Sequence, residues 1–491
     1  MAEEKKTPNV GYIRPEVLER MPDWALIRDC IAGQRAIKEG GKTYLPEILA
    51  SPDTVENEAI NEKYLARARF FNVTGRTVEE LTGEVFIRET KFELPDSIQM
   101  MAGDIDGAGT TFEQQAKAVL GDVLGFGRSG LLVDFPTIEE GEVVTKADLE
   151  NGGLKPKILF YQPEQVINWT MAVDRKTGNK QLQTLVLFEQ EEIAIDEFEK
   201  KFEDRWRVYR WEQIQLENSE ESIPAVSVEV YGEVEGSRKN GKVQFEIVEP
   251  KRFIFRYDRR PLGYIPFIFL GSENNDERVD RPPLIDLANT NIAHYQNSAD
   301  VEWSAFHEGQ TGIAISGLTE EWADRFFKNG IFFGGGNALL LPQGGKAEML
   351  QANSTTMSSE LMKDKVEQMK AIGGRLIEAQ TVEKTAFEAG LDKTGEVSVL
   401  SSIANNVSSG YVQAFTIAEE FLNEPSGNVK VELNTEYDFG GLTAQEFTDG
   451  YFKGIFSLEE VRDNARRKGA KLTDDEIAKA SIAGDNPTGE I

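Results

Sequence analysis

The chain of 491 residues has one cysteine, Cys30, and two histidines, His294 and His307. A lone cysteine excludes intrachain disulfides, and Cys30 is expected to be an inert buried thiol in a reducing compartment or a redox-indifferent assembly. So few Cys and His residues leave Ser/His or Cys/His nucleophilic catalysis little to work with, and no G-x-S-x-G elbow occurs. His307 is followed by Glu308, but Thr311 stands where HExxH needs its second histidine, which excludes a zinc peptidase. Positive charge is scarce too: 54 basic against 84 acidic residues give a net charge of −30. An outer surface that grips nucleic acid needs basic patches to displace counterions, so that class is excluded, whereas DNA passed through without being held is not. Long apolar runs are missing as well. The longest, YIPFIFL at 264–270, is far too short to span a bilayer, and the MAEEKK start lacks the apolar core of a signal peptide. The expectation is a soluble protein made in a cytoplasm, with no membrane partner.

Three near-motifs fail on context. GFGRSG at 125–130 matches the dinucleotide GxGxxG, but that chemistry needs a strand before the glycines and a helix after them. Here a helix precedes and the strand-like LLVDF follows, so the glycines read as a helix C-cap and a tight turn. GGKT at 40–43 ends like a phosphate loop, yet Ala36 stands where the first glycine belongs. DIDG at 104–107 starts like a calcium loop, but its glycine comes early and Gln115 replaces the bidentate glutamate. Acidic pairs such as Glu139 and Glu140 read as solvated surface. No catalytic residue, metal or cofactor is assigned, and the chain is not read as an enzyme; an enzyme built from carboxylates and a divalent metal is the reading that sequence leaves open.

The pattern along the chain is α+β. Pro22 and Asp23 precede WALIRDCIAGQRAI, and NEKYLARARFF and TVEELTGEVF follow, each with helical spacing of apolar residues. From Leu131 the period shortens: LLVDF, KILFY, TLVLF, WRVYRW, AVSVEVY and KVQFEIV predict an antiparallel meander up to about residue 270. Then Ile285, Ala288, Ile292, Tyr295, Ala299, Trp303 and Phe306 form one stripe on a helix of about 25 residues, roughly 37 Å long. A Gly-rich, strand-like stretch follows (TGIAISG, then IFFGGGNALLLPQGG). A second helix spans about Ser358 to Gln380, with Met362, Val366, Met369, Leu376 and Ile377 apolar and Gly373 and Gly374 interrupting it. A polar loop, TAFEAGLDKTGEVSVL at 385–400, leads into a third long helix from about Ser398 to Asn423, stopped by Pro425. Capping boxes at Thr443 to Glu446, Ser457 to Glu460 and Thr473 to Glu476 predict short helices in the tail.

This order resembles the portal proteins of tailed bacteriophages, and local stretches carry the likeness. YLARARFFNVTGRTVEELTGEVF is similar to the family's N-terminal helical segment, and GFGRSGLLVDFP with YQPEQVINW to its helix-to-strand passage. PLGYIPFIFLG leading to PPLIDLANTNIAHYQNSADVEW resembles entry into the first stem helix, and VELNTEYDFGGLTAQEFTDGYFKGIFSLEEV the end of the portal core. The likeness covers about residues 10 to 475 and rests on order and spacing rather than on one specific motif. Podovirus-type and Gram-positive siphovirus-type portals are the nearest in kind.

The resemblance implies a ring, usually of twelve subunits, at one vertex of a virion capsid, assembled in the host bacterial cytoplasm. Double-stranded DNA would pass through it for packaging and ejection. The terminase large subunit, the major capsid or scaffold protein, and head-tail adaptor or tail proteins would be its partners. By position, 1–283 would be an α/β wing, 284–308 a stem helix, 309–357 a β-containing clip, and 358–380 a second stem helix. Residues 381–395 would be a tunnel loop, 396–423 a long wing helix, and 424–491 wing and a small helical crown. The stem stripes, Ile292, Tyr295, Ala299, Trp303 and Phe306 with Met362, Val366 and Met369, would pack against each other and the adjacent subunit. In the tunnel loop Gly390 and Gly395 would allow motion, Lys384 and Lys393 would touch phosphate transiently, and Glu383, Glu388 and Asp392 would prevent sticking. The other structural reading is a head-tail adaptor or baseplate component.

Overall fold

The computed structural model describes residues 9–136, 155–173, 178, 180–215, 222–239, 242–308, 312–317, 319–326, 341, 343–350, 356–376, 398–423, 427–435 and 462. In chain order its helices and strands begin with α1 (Pro15–Ala32), α2 (Gln34–Glu39), α3 (Thr54–Arg67), α4 (Val73–Val85), β1 (Lys91–Glu93) and α5 (Phe112–Phe126). Next come β2 (Arg128–Asp134), β3 (Lys157–Tyr161), β4 (Val166–Val173), β5 (Lys180–Ala194), β6 (Lys200–Gln215), β7 (Ser222–Lys239), β8 (Lys242–Phe253) and β9 (Phe267–Gly271). The remainder is α6 (Ile285–Glu308), β10 (Gly312–Ser316), α7 (Glu320–Phe326), β11 (Lys346–Leu350), α8 (Thr356–Arg375), α9 (Val399–Leu422) and β12 (Lys430–Glu432). The chain is α+β and divides into two units, one of 1–31, 74–287 and 372–491, the other of 32–73 and 288–371.

The first unit holds the meander, five antiparallel strands in the order β4-β5-β6-β7-β8, and a smaller sheet in the order β3-β2-β9. On one face of the meander Trp206, Val208, Val186 and Tyr231 bury against Val10 and Ile167. The small sheet and α5 meet at the glycine motif. Gly127 has φ 77, its N–H bonds the Val123 carbonyl, and β2 starts at the next residue, so the motif is a left-handed helix cap feeding a strand. A side chain there would also meet the Arg281 carbonyl at 2.9 Å. Helix α9 carries a wide apolar face. Leu400, Ile403, Val407, Tyr411, Ala414, Phe415 and Ala418 are all fully buried. Phe112, Phe92, Tyr411 and Phe415 form one ring cluster, with Phe92 stacked on Phe112 at 4.4 Å. Gly410 lets α9 lie against β9, since a Cβ there would fall 2.2 Å from Leu270.

Arg128 opens β2 inside this core. Its guanidinium lies 4.2 Å from the Trp169 ring and 4.8 Å from that of Phe269, and none of its nitrogens has a hydrogen-bond partner among the described residues. Burial pulls its pKa down to about 9.

Several sequence expectations are corrected. The first helix starts at Pro15 rather than after Pro22, and Pro22 lies inside it. A proline there forfeits the bond to the carbonyl four residues back; that is Leu18, whose side chain is 58% exposed. Gly33, at φ 91, divides the WALIRDCIAGQRAI run into two helices. NEKYLARARFF is helical only to Arg67, because Ala68 turns extended at ψ 139. Gly373 and Gly374 do not interrupt the second long helix, which runs through both to Arg375. In the expected β-containing clip, TGIAISG is a strand paired with Lys346–Leu350, α7 is a helix the sequence reading does not include, and most of IFFGGGNALLLPQGG lies outside the described residues. Residues 377–397 and the three capping boxes of the tail lie outside the described residues.

Candidate functional site

Within the second unit, the predicted stripe of α6 has partners from its own chain. Tyr295 and Ala299 are fully buried, and Tyr295 meets Phe70 edge-on at 6.0 Å. Trp303 meets Tyr64 edge-on at 5.7 Å, and the Arg67 guanidinium sits 3.7 Å above the Phe306 ring. Tyr64 donates to Asp300 at 2.6 Å, and burial with that carboxylate raises the Tyr64 pKa. Ile292 is half-buried.

Polar residues that the stripe omits do as much. The extended segment after α3 has backbone groups with no sheet to pair them, and α6 supplies the pairs. Asn291 donates to the Phe71 carbonyl at 2.8 Å and accepts from the Val73 N–H at 3.2 Å. One turn-pair further on, the Ser298 hydroxyl donates to the Arg69 carbonyl at 2.7 Å and accepts from the Arg69 N–H at 3.0 Å. Buried backbone groups must be satisfied, so this polar ladder fixes the register of the segment on the helix. The signal was present in the sequence as a buried-side Asn and Ser seven residues apart, which is the same helical face.

Helix α8 touches α6 through Lys365, whose ammonium donates to the Ala293 carbonyl at 3.0 Å. Burial lowers the Lys365 pKa, and burial followed by that ammonium lowers the His294 pKa. Met369 is buried, while Met362 and Val366 are half-buried. Met357 and Leu361, one turn apart on α8, stay 67% and 46% exposed.

The ends of the polar loop are described although its interior is not. In the first unit the Leu400 N–H donates to the Leu376 carbonyl at 3.1 Å, which clasps the loop at its base. Ser398 caps α9 by accepting from the Ser401 N–H at 3.1 Å, and Ser401 donates to the Thr435 carbonyl at 2.9 Å. Beside the clasp is a cleft of about 390 Å³ lined by Ser272, Glu273, Arg281, Pro282, Leu376 and Ser402 among others. Glu383, Lys384, Glu388, Gly390, Asp392, Lys393 and Gly395 lie outside the described residues.

At the DIDG turn Asp104 accepts from the N–H groups of Gly107 and Gly109, and the Lys155 ammonium sits on its other oxygen, neutralising it and holding its pKa down. Among the described residues no group of three or more His, Cys, Asp or Glu side chains is placed to hold a metal ion, and no helix is long and apolar enough to cross a membrane. Cys30 is buried, which pushes its thiol pKa up to about 12 and makes it unreactive.

Residues 283–422, from two positions before α6 to the last residue of α9, match a family described as a domain of unknown function, DUF4055. Among solved structures, one chain from the neck of an empty GTA particle, computed with C6 symmetry, is similar at a TM-score of 0.34 and 13% identity, covering 90% of this chain and 100% of that one. Comparison with curated proteins gives no match.

Proposed function

We propose that this chain is a portal-type structural protein of a tailed-phage-like particle, present as a ring of about twelve copies around a channel for double-stranded DNA. The observation that carries the reading is the order of elements inside the matched span: long helix α6, the antiparallel pair β10–β11 with α7 between its strands, long helix α8, and long helix α9, with Leu400 bonded to Leu376 where α8 ends and α9 begins. That is the order the portal resemblance implies for stem, clip, stem, tunnel loop and wing helix.

Three physical features support it. Met357 and Leu361 leave apolar surface on α8 that a neighbouring copy would cover. A net charge of −30 per copy, repeated around a lumen, would repel phosphate, so that DNA slides without the counterion-releasing contacts that would stall it. The clasp between Leu376 and Leu400 closes the loop on itself, so a projecting loop would leave the helices on either side undisturbed. In this reading the chain carries no catalytic residue. The terminase large subunit, the capsid or scaffold protein and adaptor or tail proteins would dock on the ring at the capsid vertex of the virion.

Electron microscopy of the purified protein, with its solution mass, tests the proposal. Rings with a central hole and about twelvefold symmetry are expected. A chain that stays monomeric at high concentration would overturn it; a defined oligomer without a channel would favour a head-tail adaptor or baseplate component instead. In assembled particles, replacing Lys384 and Lys393 with glutamate is expected to lower DNA packaging while ring assembly is unchanged.

A further inference from the structure

Two turns at opposite ends of the meander carry opposite charge. At one end, β5 and β6 run out as a two-stranded arm over 189–204, EQEEIAIDEFEKKFED, with eight acidic and two basic residues. Arg205 ties Glu191 and Glu203 together at the root of the arm. Asp196 shapes the turn by accepting from the N–H groups of Phe198 and Glu199. Beyond that root the arm is solvent-exposed, and it presents apolar side chains that no described residue covers: Phe198 is 89% exposed, Phe202 68% and Ile195 54%.

At the other end, β8 leads into KRFIFRYDRR at 251–260, with five basic residues and a single acid, Asp258; Lys251 is paired with Glu212, and Arg260 lies 3.5 Å from Asp258 through one nitrogen with its side chain 76% exposed. In a chain of net −30 this is a local reversal of sign. The turn is firmly built: the Arg256 N–H bonds the Arg260 carbonyl at 2.9 Å, Phe255 bridges to Pro261, and the Tyr257 N–H bonds the Phe421 carbonyl in the last turn of α9. Arg259 and Arg260 are exposed beside Phe255, itself 43% exposed.

Register fixes how far apart the two ends are. Phe253 pairs with Ser227, Ser227 with Arg210, and Arg210 with Thr184, so the basic turn is level with Thr184 on β5. The arm closes beyond Ala194, ten residues further along the same strand, on the order of 33 Å away at 3.3 Å per residue. An acidic, aromatic-tipped surface and a basic, aromatic-flanked surface that cannot meet within one chain can meet between chains. The contact joins two different surfaces, so it is head-to-tail and closes into a ring when the rotation permits.

We propose that the acidic β5–β6 arm of one copy docks on the basic 251–260 turn of a second copy, with Phe198 and Phe202 against Phe255 and Glu197 and Glu199 facing Arg259 and Arg260. This rests on the ring reading above and names a contact within it. Charges at a rim of this kind act through solvent, so the contact weakens as salt rises.

The test uses the full chain, with assembly followed by sedimentation velocity in low and high salt. Glu197→Lys with Glu199→Lys is expected to weaken association at least tenfold, as is Arg259→Glu with Arg260→Glu. The chain carrying all four substitutions, and an equal mixture of the two reversed chains, are expected to assemble as the natural chain does. All four sites are exposed, and unchanged melting curves establish that the variants fold. Because Cys30 is buried, a chain with Glu197→Cys and Arg260→Cys should crosslink only between copies. Rings that form equally well from each reversed chain would overturn the arm contact and leave the ring reading standing. A natural chain that never associates would overturn both. Reversed chains that fail alone and are not rescued in combination would overturn the contact, as would intact rings in which Arg259→Glu with Arg260→Glu loses retention of a duplex DNA probe, which assigns the turn to phosphate.

Discussion

Two helix pairs in this protein have similar lengths and opposite habits. Helix α9 packs on α5 and the small sheet through a face that is buried from Leu400 to Phe421, closed by the ring cluster of Phe92, Phe112, Tyr411 and Phe415. Helix α8 reaches α6 with a bond from the Lys365 ammonium to the Ala293 carbonyl, and along its own apolar row Met369 is buried while Met362 and Val366 are half-buried. Both read in sequence as amphipathic helices of more than five turns. The difference teaches that an apolar stripe states a need for cover, not where the cover comes from. For α9 the chain supplies it; for α8 part of the need is unmet.

The comparison can be broken most sharply in α9. Phe415→Ala removes a fully buried ring from the cluster and is expected to cost about 3–5 kcal/mol in chemical denaturation. A loss below about 1 kcal/mol would mean that the α5–α9 core is not the stable part of the chain. Gly127→Ala should cost less, about 1–3 kcal/mol, since it forces a left-handed residue and a 2.9 Å approach to the Arg281 carbonyl at the end of α5. Full stability in this variant would undo the helix-cap reading of GFGRSG.

A smaller effect sits on α5 itself. Asp122 is deeply buried, and burial raises its pKa to about 7, opposed by Arg28 and reinforced by Glu164. Arg28 is already held by Glu164 at 2.7 Å, so it is not free to pair with Asp122. A carboxyl whose folded pKa is raised binds more protons folded than unfolded. Its contribution is therefore fully present below about pH 4 and lost as pH rises through about 7. Melting curves across that window should fall with pH, and Asp122→Asn should flatten the slope. The smallest effect belongs to α8: Met357→Ser with Leu361→Ser should change denaturation by no more than about 0.5 kcal/mol, because both side chains are exposed. The same pair should impair ring assembly in sedimentation. Impaired folding with normal assembly would reverse the contrast between the two helix pairs.

What was legible in the sequence was local and periodic. The helix expected over 284–308 is Ile285–Glu308, and the one expected from Ser398 to Asn423 is Val399–Leu422. Each run expected to be a strand falls on one, because a period of two sustained for several residues has few other solutions, but the single meander is corrected: LLVDF and KILFY pair with each other and with Phe267–Gly271 in a separate three-stranded sheet, and the meander opens instead with Val166–Val173. Helix starts and stops were weaker. Pro22 read as a beginning when it sits mid-helix, and Ala68 ends α3 for a reason that lies far along the chain, in the Asn291 and Ser298 ladder. Pairing between distant short segments left no local trace: β1 and β12 are three residues each and meet across more than 300 residues of sequence. The same is true of the basic turn, whose meaning depends on its distance from the acidic arm and therefore on strand register. Of the candidate site, the α6 and α8 stripes were visible as spacing, but not which of their residues the chain covers for itself. The tunnel-loop residues fall outside the described segments.

The clasp of Leu400 on Leu376 also bears on how this chain can change over time. With the base closed by a backbone bond, lengthening the intervening segment costs only loop-closure entropy, about 0.6 kcal/mol for each doubling. A closed base of this kind separates the length of the segment from the spacing of the helix ends that it joins.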